Sequence, residues 1–297
     1  MKYAYYPGCS LDSTGIEYQL STKAVAGTLG VELWEIPEWN CCGASAAHNT
    51  DRLLSLALPA RNLALAEKEG LDVAVPCAAC YSRMKATEKA VRGSEDVREK
   101  ISEIIEMEYG ASNRTLALLD VFTNQAGLEQ VASLATKPLQ GLKTACYYGC
   151  LMVKPPRLAE FDDPEDPQTM DRLMDALGAE AVSWPYKTEC CGAGFASSRT
   201  DIVLQMSYEV LRLAKTAGAE AVVTACPLCM LNLDMRQKEI EAKNGVAIDL
   251  PILYFTELMA LAFGHKPAAI GFNKHFVDTT PVVRKVEQGR RAKEVQP

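Results

Sequence analysis

Ten of the eleven cysteines in this 297-residue chain fall into two sets with the same internal order. The first set is Cys9, the pair Cys41-Cys42 and Cys77-x-x-Cys80; the second is Cys150, the pair Cys190-Cys191 and Cys226-x-x-Cys229. In both, 34 residues separate the pair from the Cys-x-x-Cys, while the first gap is 31 residues in one set and 39 in the other. The flanks repeat as well. KYAYYPGC at 2–9 matches KTACYYGC at 143–150, and CCGA at 41–44 recurs at 190–193. LGVEL at 29–33 resembles LGAEA at 177–181, and Val121-Phe122-Thr123 resembles Tyr254-Phe255-Thr256. Four matches in the same order mean an internal duplication, with its boundary near 138–141.

Each half predicts the same succession of elements. A short apolar strand leads to the first cysteine, and an amphipathic helix follows, over 16–29 and 170–177. A second strand, 31–36 or 181–184, leads to the cysteine pair. A longer helix covers about 51–69 and 201–217, with Asp51 and Asp201 as N-caps and Gly70 and Gly218 as stops. Short buried strands at 73–75 and 221–224 end at the Cys-x-x-Cys, and 116–118 and 252–254 supply one further strand each. Alternating strands and helices imply an α/β class with parallel sheets: two duplicated Rossmann-like domains, 1–138 and 142–263, related by a pseudo-twofold. Residues 264–297, rich in charge, read as an arm or tail with little core. In such folds ligands collect at the C-terminal edge of the sheet, where every cysteine of both sets falls.

The chemistry follows from the number of thiols. A Cys-x-x-Cys aims two thiolates at a common metal from one tight turn. Adjacent cysteines do not readily chelate one small tetrahedral ion, but they can ligate different irons of a larger cluster. Five thiolates per set exceed the four that a zinc site or an ordinary cubane cluster uses; structural zinc in one half is the competing reading. Gly43 and Gly192, after each pair, let the backbone approach an inorganic sulfide and donate an N–H to it. Cys146 aligns with Tyr5 and reads as a buried thiol outside the ligand sets. The histidines, His48, His265 and His275, are scattered, and no Ser/His/Asp constellation is present. The segment 154–168 reads as a rigid solvated loop, or as a lip over the second set with Lys154 or Arg157 steadying an anionic substrate.

The net charge of -7, from 31 basic and 38 acidic residues, argues against nucleic acid as a partner. The longest apolar stretch, 250–263, is broken by Thr256 and Glu257, so no membrane span is expected. The first residues lack the apolar core of a secretory signal, and the expected location is the cytoplasm.

The pattern of a lone cysteine, Cys-Cys-Gly and Cys-x-x-Cys, occurring twice over about residues 1–263, resembles the CCG-domain (cysteine-rich domain) family, most closely the B-type subunits of heterodisulfide reductases. The resemblance implies two noncubane 4Fe–4S clusters. One would be held by Cys9, Cys41, Cys42, Cys77 and Cys80, the other by Cys150, Cys190, Cys191, Cys226 and Cys229. It further implies an oxidoreductase acting on a disulfide or its thiols, bound between the clusters; in the archetype this is the mixed disulfide of coenzyme M and coenzyme B. Chemistry would take place at cluster iron, with no side chain as catalyst, in a cavity bounded by the two Cys-Cys-Gly turns. A ferredoxin-like C-type subunit would be the immediate electron donor, and a flavin-containing A-type subunit would stand behind it. The alternative is an electron-transfer subunit with no substrate of its own.

Overall fold

The runs VAV at 73–75 and AVVT at 221–224 are buried along their whole length, as strands covered on both faces must be. They form the interior of two sheets. The computed structural model describes residues 1–44 and 46–294. In the first half β1 (Lys2–Tyr5), β2 (Glu32–Glu35), β3 (Val73–Val75) and β4 (Thr115–Ala117) pair in the order β2-β1-β3-β4, all parallel. In the second half β5 (Lys143–Tyr147), β6 (Glu180–Ala181), β7 (Ala221–Thr224) and β8 (Ile252–Tyr254) repeat that order as β6-β5-β7-β8, again all parallel. The chain is thus an α/β protein of two Rossmann-like repeats.

Most elements lie where the sequence places them, and the departures have physical causes. The strand expected at 181–184 shortens to Glu180–Ala181. The ladder continues through Val182 N–H to the Thr144 carbonyl, but the indole Nε1 of Trp184 then donates to the Cys146 carbonyl at 3.1 Å, taking the acceptor the next backbone amide would use. Asp51 caps its helix, Arg52–Lys68, by accepting from the Leu54 amide at 2.7 Å. Asp201 is not a cap. It lies inside the first turn of Thr200–Thr216, where it pairs with Arg199.

The expectation of an arm with little core is corrected. Ile270, Phe272, Val282 and Val286 are buried, and the arm continues into a helix, Thr280–Glu294. Asp234 accepts from the amides of Phe276 and Val277, and Glu257 accepts from His275, tying the arm to the second half. The segment 154–168 is the rigid, largely exposed loop expected, with Asp162 and Asp163 accepting from nearby backbone amides. Glu160 pairs with Lys85 and Lys89 of the first half, and Tyr81 donates to the Ala159 carbonyl, so the segment straps the second half onto the helix Ala78–Gly93. Lys154 turns to Thr188, at 3.0 Å, and Glu165.

The halves join through a shared core. Helix Ile16–Leu29 of the first packs on Phe255–Ala262 of the second, and Thr169–Ala176 of the second packs on Leu128–Leu134 of the first. Phe122 and Phe255, which occupy equivalent places in the repeat, meet edge to face with centroids 6.4 Å apart. Equivalent residues touch one another only near a twofold axis, so this pair marks the pseudo-twofold.

Candidate metal centre

Each sheet delivers its cysteines at the strand ends. β1 and β5 run into Cys9 and Cys150; β3 and β7 run into Cys77 and Cys226, which open the helices Ala78–Gly93 and Pro227–Met230. Within the first half the Sγ atoms of Cys42 and Cys80 stand 3.3 Å apart; in the second, those of Cys191 and Cys229 stand 3.6 Å apart. Four further pairs, Cys41 with Cys42, Cys77 with Cys80, Cys226 with Cys229 and Cys150 with Cys190, shift one another's acidity. Cys9 stands off, reaching Cys41 only through its charge.

The two sets adjoin. The Cys77 and Cys226 thiols, equivalent across the repeat, shift one another's acidity. The junction runs through the Cys-x-x-Cys turns. Tyr18 braces it: its buried hydroxyl lies 3.1 Å from the Pro76 carbonyl and 3.4 Å from the Ala225 carbonyl, one residue before each Cys-x-x-Cys. Its ring stacks on Tyr254 at 4.0 Å.

The turns around the thiols are built alike. The Gly192 amide donates to Cys190 Sγ at 3.3 Å, and the Gly43 amide acts to lower the Cys41 thiol. Both glycines are left-handed, at φ +69° and +82°. A Cβ on Gly43 would lie 2.8 Å from both Ala47 Cβ and Leu58 Cδ1. On Gly149 a Cβ would come within 3.1 Å of Cys229 Sγ. Tyr6 and Tyr147 donate to the carbonyls of Asn40 and Glu189, the residues just before each cysteine pair. These tyrosines, like Tyr18, have structural tasks that the sequence reading missed. Tyr6 and Tyr147 were signalled by their identity in the aligned repeat; Tyr18 has no such signal.

Electrostatics divides the thiols. Donation from Cys41 and Cys80 holds Cys42 well below the usual thiol range, and donation from Cys229 and Cys77 does the same for Cys226. Donation from Cys150 lowers Cys190, to about 6. The donors Cys41 and Cys150 are pushed up in exchange. Neighbouring thiols and burial push Cys77, Cys80 and Cys229 well up too, so a metal would have to draw their protons off. In each set three are buried (Cys42, Cys77, Cys80; Cys191, Cys226, Cys229) and two lie at the open side (Cys9, Cys41; Cys150, Cys190).

Among the described residues no three His, Cys, Asp or Glu side chains converge as a single ion would need. The all-sulfur donor set, its amide donors and its glycine cradles fit a cluster better than one zinc ion. Cys146 lies outside it, fully buried in β5. His48 is exposed, and His265 bonds Thr28 at 3.0 Å.

Twin parallel sheets that present five thiols each at adjoining edges define a two-repeat, cysteine-rich redox protein. The chain belongs to the CCG cysteine-rich domain family, whose model matches residues 3–85 and 144–234. It is 32% identical over 280 residues to the 8-methylmenaquinol:fumarate reductase membrane anchor subunit of Wolinella succinogenes, covering 94% of this chain and 98% of that one. It is 28% identical over 291 residues to the B-type subunit of the ferredoxin/F(420)H(2)-dependent CoB-CoM heterodisulfide reductase of Methanosarcina acetivorans, covering 96% and 97%. A hypothetical protein from Helicobacter pylori shares the fold, with a TM-score of 0.75 at 12% identity over 94% of this chain. The present chain spans 52% of that protein. Among the described residues no helix is long and apolar enough to cross a membrane. Family and relatives together support an iron–sulfur redox subunit of a larger oxidoreductase.

Proposed function

We propose that the chain is the catalytic iron–sulfur subunit of a heterodisulfide reductase-like complex, reducing a disulfide or oxidising its thiols where the two cysteine sets face one another. The observation that carries this reading is the Tyr18 hydroxyl, 3.1 Å from the Pro76 carbonyl and 3.4 Å from the Ala225 carbonyl, which makes the two Cys-x-x-Cys turns, and with them the two five-thiol sets, neighbours. Breaking one S–S bond to give two thiols consumes two electrons and two protons. When bound, a noncubane 4Fe–4S cluster in each half would supply one electron and an iron able to hold a sulfur. The chain's own part is to hold and orient. Cys42, Cys77 and Cys80, with Cys191, Cys226 and Cys229, anchor the buried side; Cys9, Cys41, Cys150 and Cys190 stand at the side a substrate can reach. Tyr18 fixes the separation of the sites, and Tyr6 and Tyr147 fix the Cys-Cys-Gly turns. Electrons would arrive from a ferredoxin-like C-type subunit fed by a flavin-containing A-type subunit, in the cytoplasm.

A second reading is favoured by the fumarate reductase relative, the more similar of the two named above: an electron-transfer subunit whose clusters serve chemistry elsewhere. Anaerobic assay of the cluster-loaded chain with candidate disulfides and a reduced viologen decides between them. Dye oxidation matched by two thiols per disulfide is expected. Full iron and sulfide content without turnover of any disulfide would favour the second reading.

A further inference from the structure

Equivalent positions of the two halves differ where charge matters most. Three residues after Cys80 stands Arg83; three after Cys229 stands Asn232. Arg83 lies one helical turn beyond Cys80, near the start of the helix Ala78–Gly93, which puts it beside that cysteine on the helix surface, and its Nε is buried with no hydrogen-bond partner. In the second half the helix widens into a π-turn, Leu231–Met235, that turns Asn232 toward the Cys191 sulfur. There the fully buried Asn232 Nδ2 lies 3.6 Å from Cys191 Sγ and 3.2 Å from the Cys191 carbonyl. One site therefore has a cation where the other has a neutral amide.

Two further differences point the same way. The residue before the cysteine pair is Asn40 in the first half and Glu189 in the second, whose carboxylate opposes negative charge on Cys190. Cys9 and Cys41 are exposed, whereas Cys150 and Cys190 are half-buried. The cations of the second half have partners that Arg83 lacks: Lys154 has Glu165, Lys187 has Asp166 and Asp171, and Arg236, whose Nε is likewise unpartnered, has Glu239 and the Ala196 carbonyl. Glu189 is exposed and screened by solvent, so the partly buried Arg83 outweighs it in setting the two sites apart.

Reduction of a metal–sulfur centre adds one negative charge, which a nearby uncompensated cation stabilises. Net charge, hydrogen bonds to sulfur and solvent exposure set the potentials of such centres. We propose that Arg83 makes the first cysteine set the higher-potential of two centres, so that a single electron entering the chain comes to rest on the set of Cys9, Cys41, Cys42, Cys77 and Cys80. This rests on the reading that each set holds an iron–sulfur cluster.

The test is an anaerobic redox titration of the cluster-loaded full chain followed by electron paramagnetic resonance, with iron and sulfide measured on the same samples. Two midpoints are expected in the wild type. R83Q and R83M should each lower the upper midpoint and leave the lower one in place, and R83K should restore it. A single shared midpoint, a shift confined to the lower one, or unmoved potentials in fully loaded R83Q and R83M would overturn the assignment. A chain that takes up no iron and sulfide would instead overturn the cluster reading itself, and the assignment with it.

Discussion

Gly43 shows how much a single position can be asked to do. It must adopt φ +69° and leave room for Ala47 and Leu58. A methyl group there meets a left-handed backbone and two carbons at 2.8 Å. Gly43→Ala should therefore cost about 2–4 kcal/mol, backbone strain and overpacking together, and a denaturant titration finding less than about 1 kcal/mol would refute the geometry. The proposed ligand thiols give a second expectation at this scale. Cys42 is buried against Cys80, so Cys42→Ala should strip the first site and leave about half of the iron, with turnover lost. Retention of full iron together with near-normal disulfide turnover would remove the paired-site mechanism. The sequence singles out the ten cysteines because their spacing repeats, and the repeat also marks Tyr6 and Tyr147; Tyr18 it does not, since a buried tyrosine looks the same in sequence whether or not its hydroxyl holds a turn.

Elements were legible where local and tertiary signals agree. The strands Val73–Val75, Ala221–Thr224 and Ile252–Tyr254 are short apolar runs closed by turn residues, and the helix Ile16–Leu29 ends at Gly30 in the left-handed region. They differ where a side chain competes with the backbone, as the Trp184 indole does at the end of β6. The two aspartates read as caps make the distinction measurable. Asp51 accepts from the Leu54 amide across the helix start. Asp201, at the surface, makes an ion pair with Arg199 two residues away. Asp51→Ala should cost about 1 kcal/mol. Asp201→Ala should leave stability unchanged on denaturant titration, since an exposed pair contributes little. Equal losses in matched chemical denaturation would mean that both residues cap.

At the scale of the whole molecule the halves are one body, and the arm is part of it. Its apolar residues, Ile270, Phe272, Val282 and Val286, occur singly or in pairs among charges, so no periodic run announced their burial. His275 fastens the arm. Burial alone would discharge it, but Glu257, 2.9 Å from Nε2, and Asp234 outweigh that and hold the imidazolium up to about 10. Because the folded value lies above the ordinary one near 6.5, its stabilisation is complete below about pH 6.5 and fades as pH rises toward 10. His275→Gln should flatten that stretch of the stability curve, read by thermal melts across pH. The same unity governs unfolding. The seam is made of fully buried core: Tyr18 stacks on Tyr254, Phe122 meets Phe255, and the strap at Glu160 holds the helix Ala78–Gly93 from outside. Neither half can open without exposing its partner's core, so the two should unfold in one transition although each has a complete sheet. Trp34 and Trp39 report on the first half and Trp184 on the second. Trp184→Phe leaves only the first-half reporters, and the double change Trp34→Phe with Trp39→Phe leaves only Trp184. Once each variant's curve is referred to its own circular dichroism, fluorescence and backbone signals should coincide in both. A fluorescence midpoint clearly displaced from the backbone midpoint in either variant would mean that the halves unfold separately and that the seam is an interface between domains.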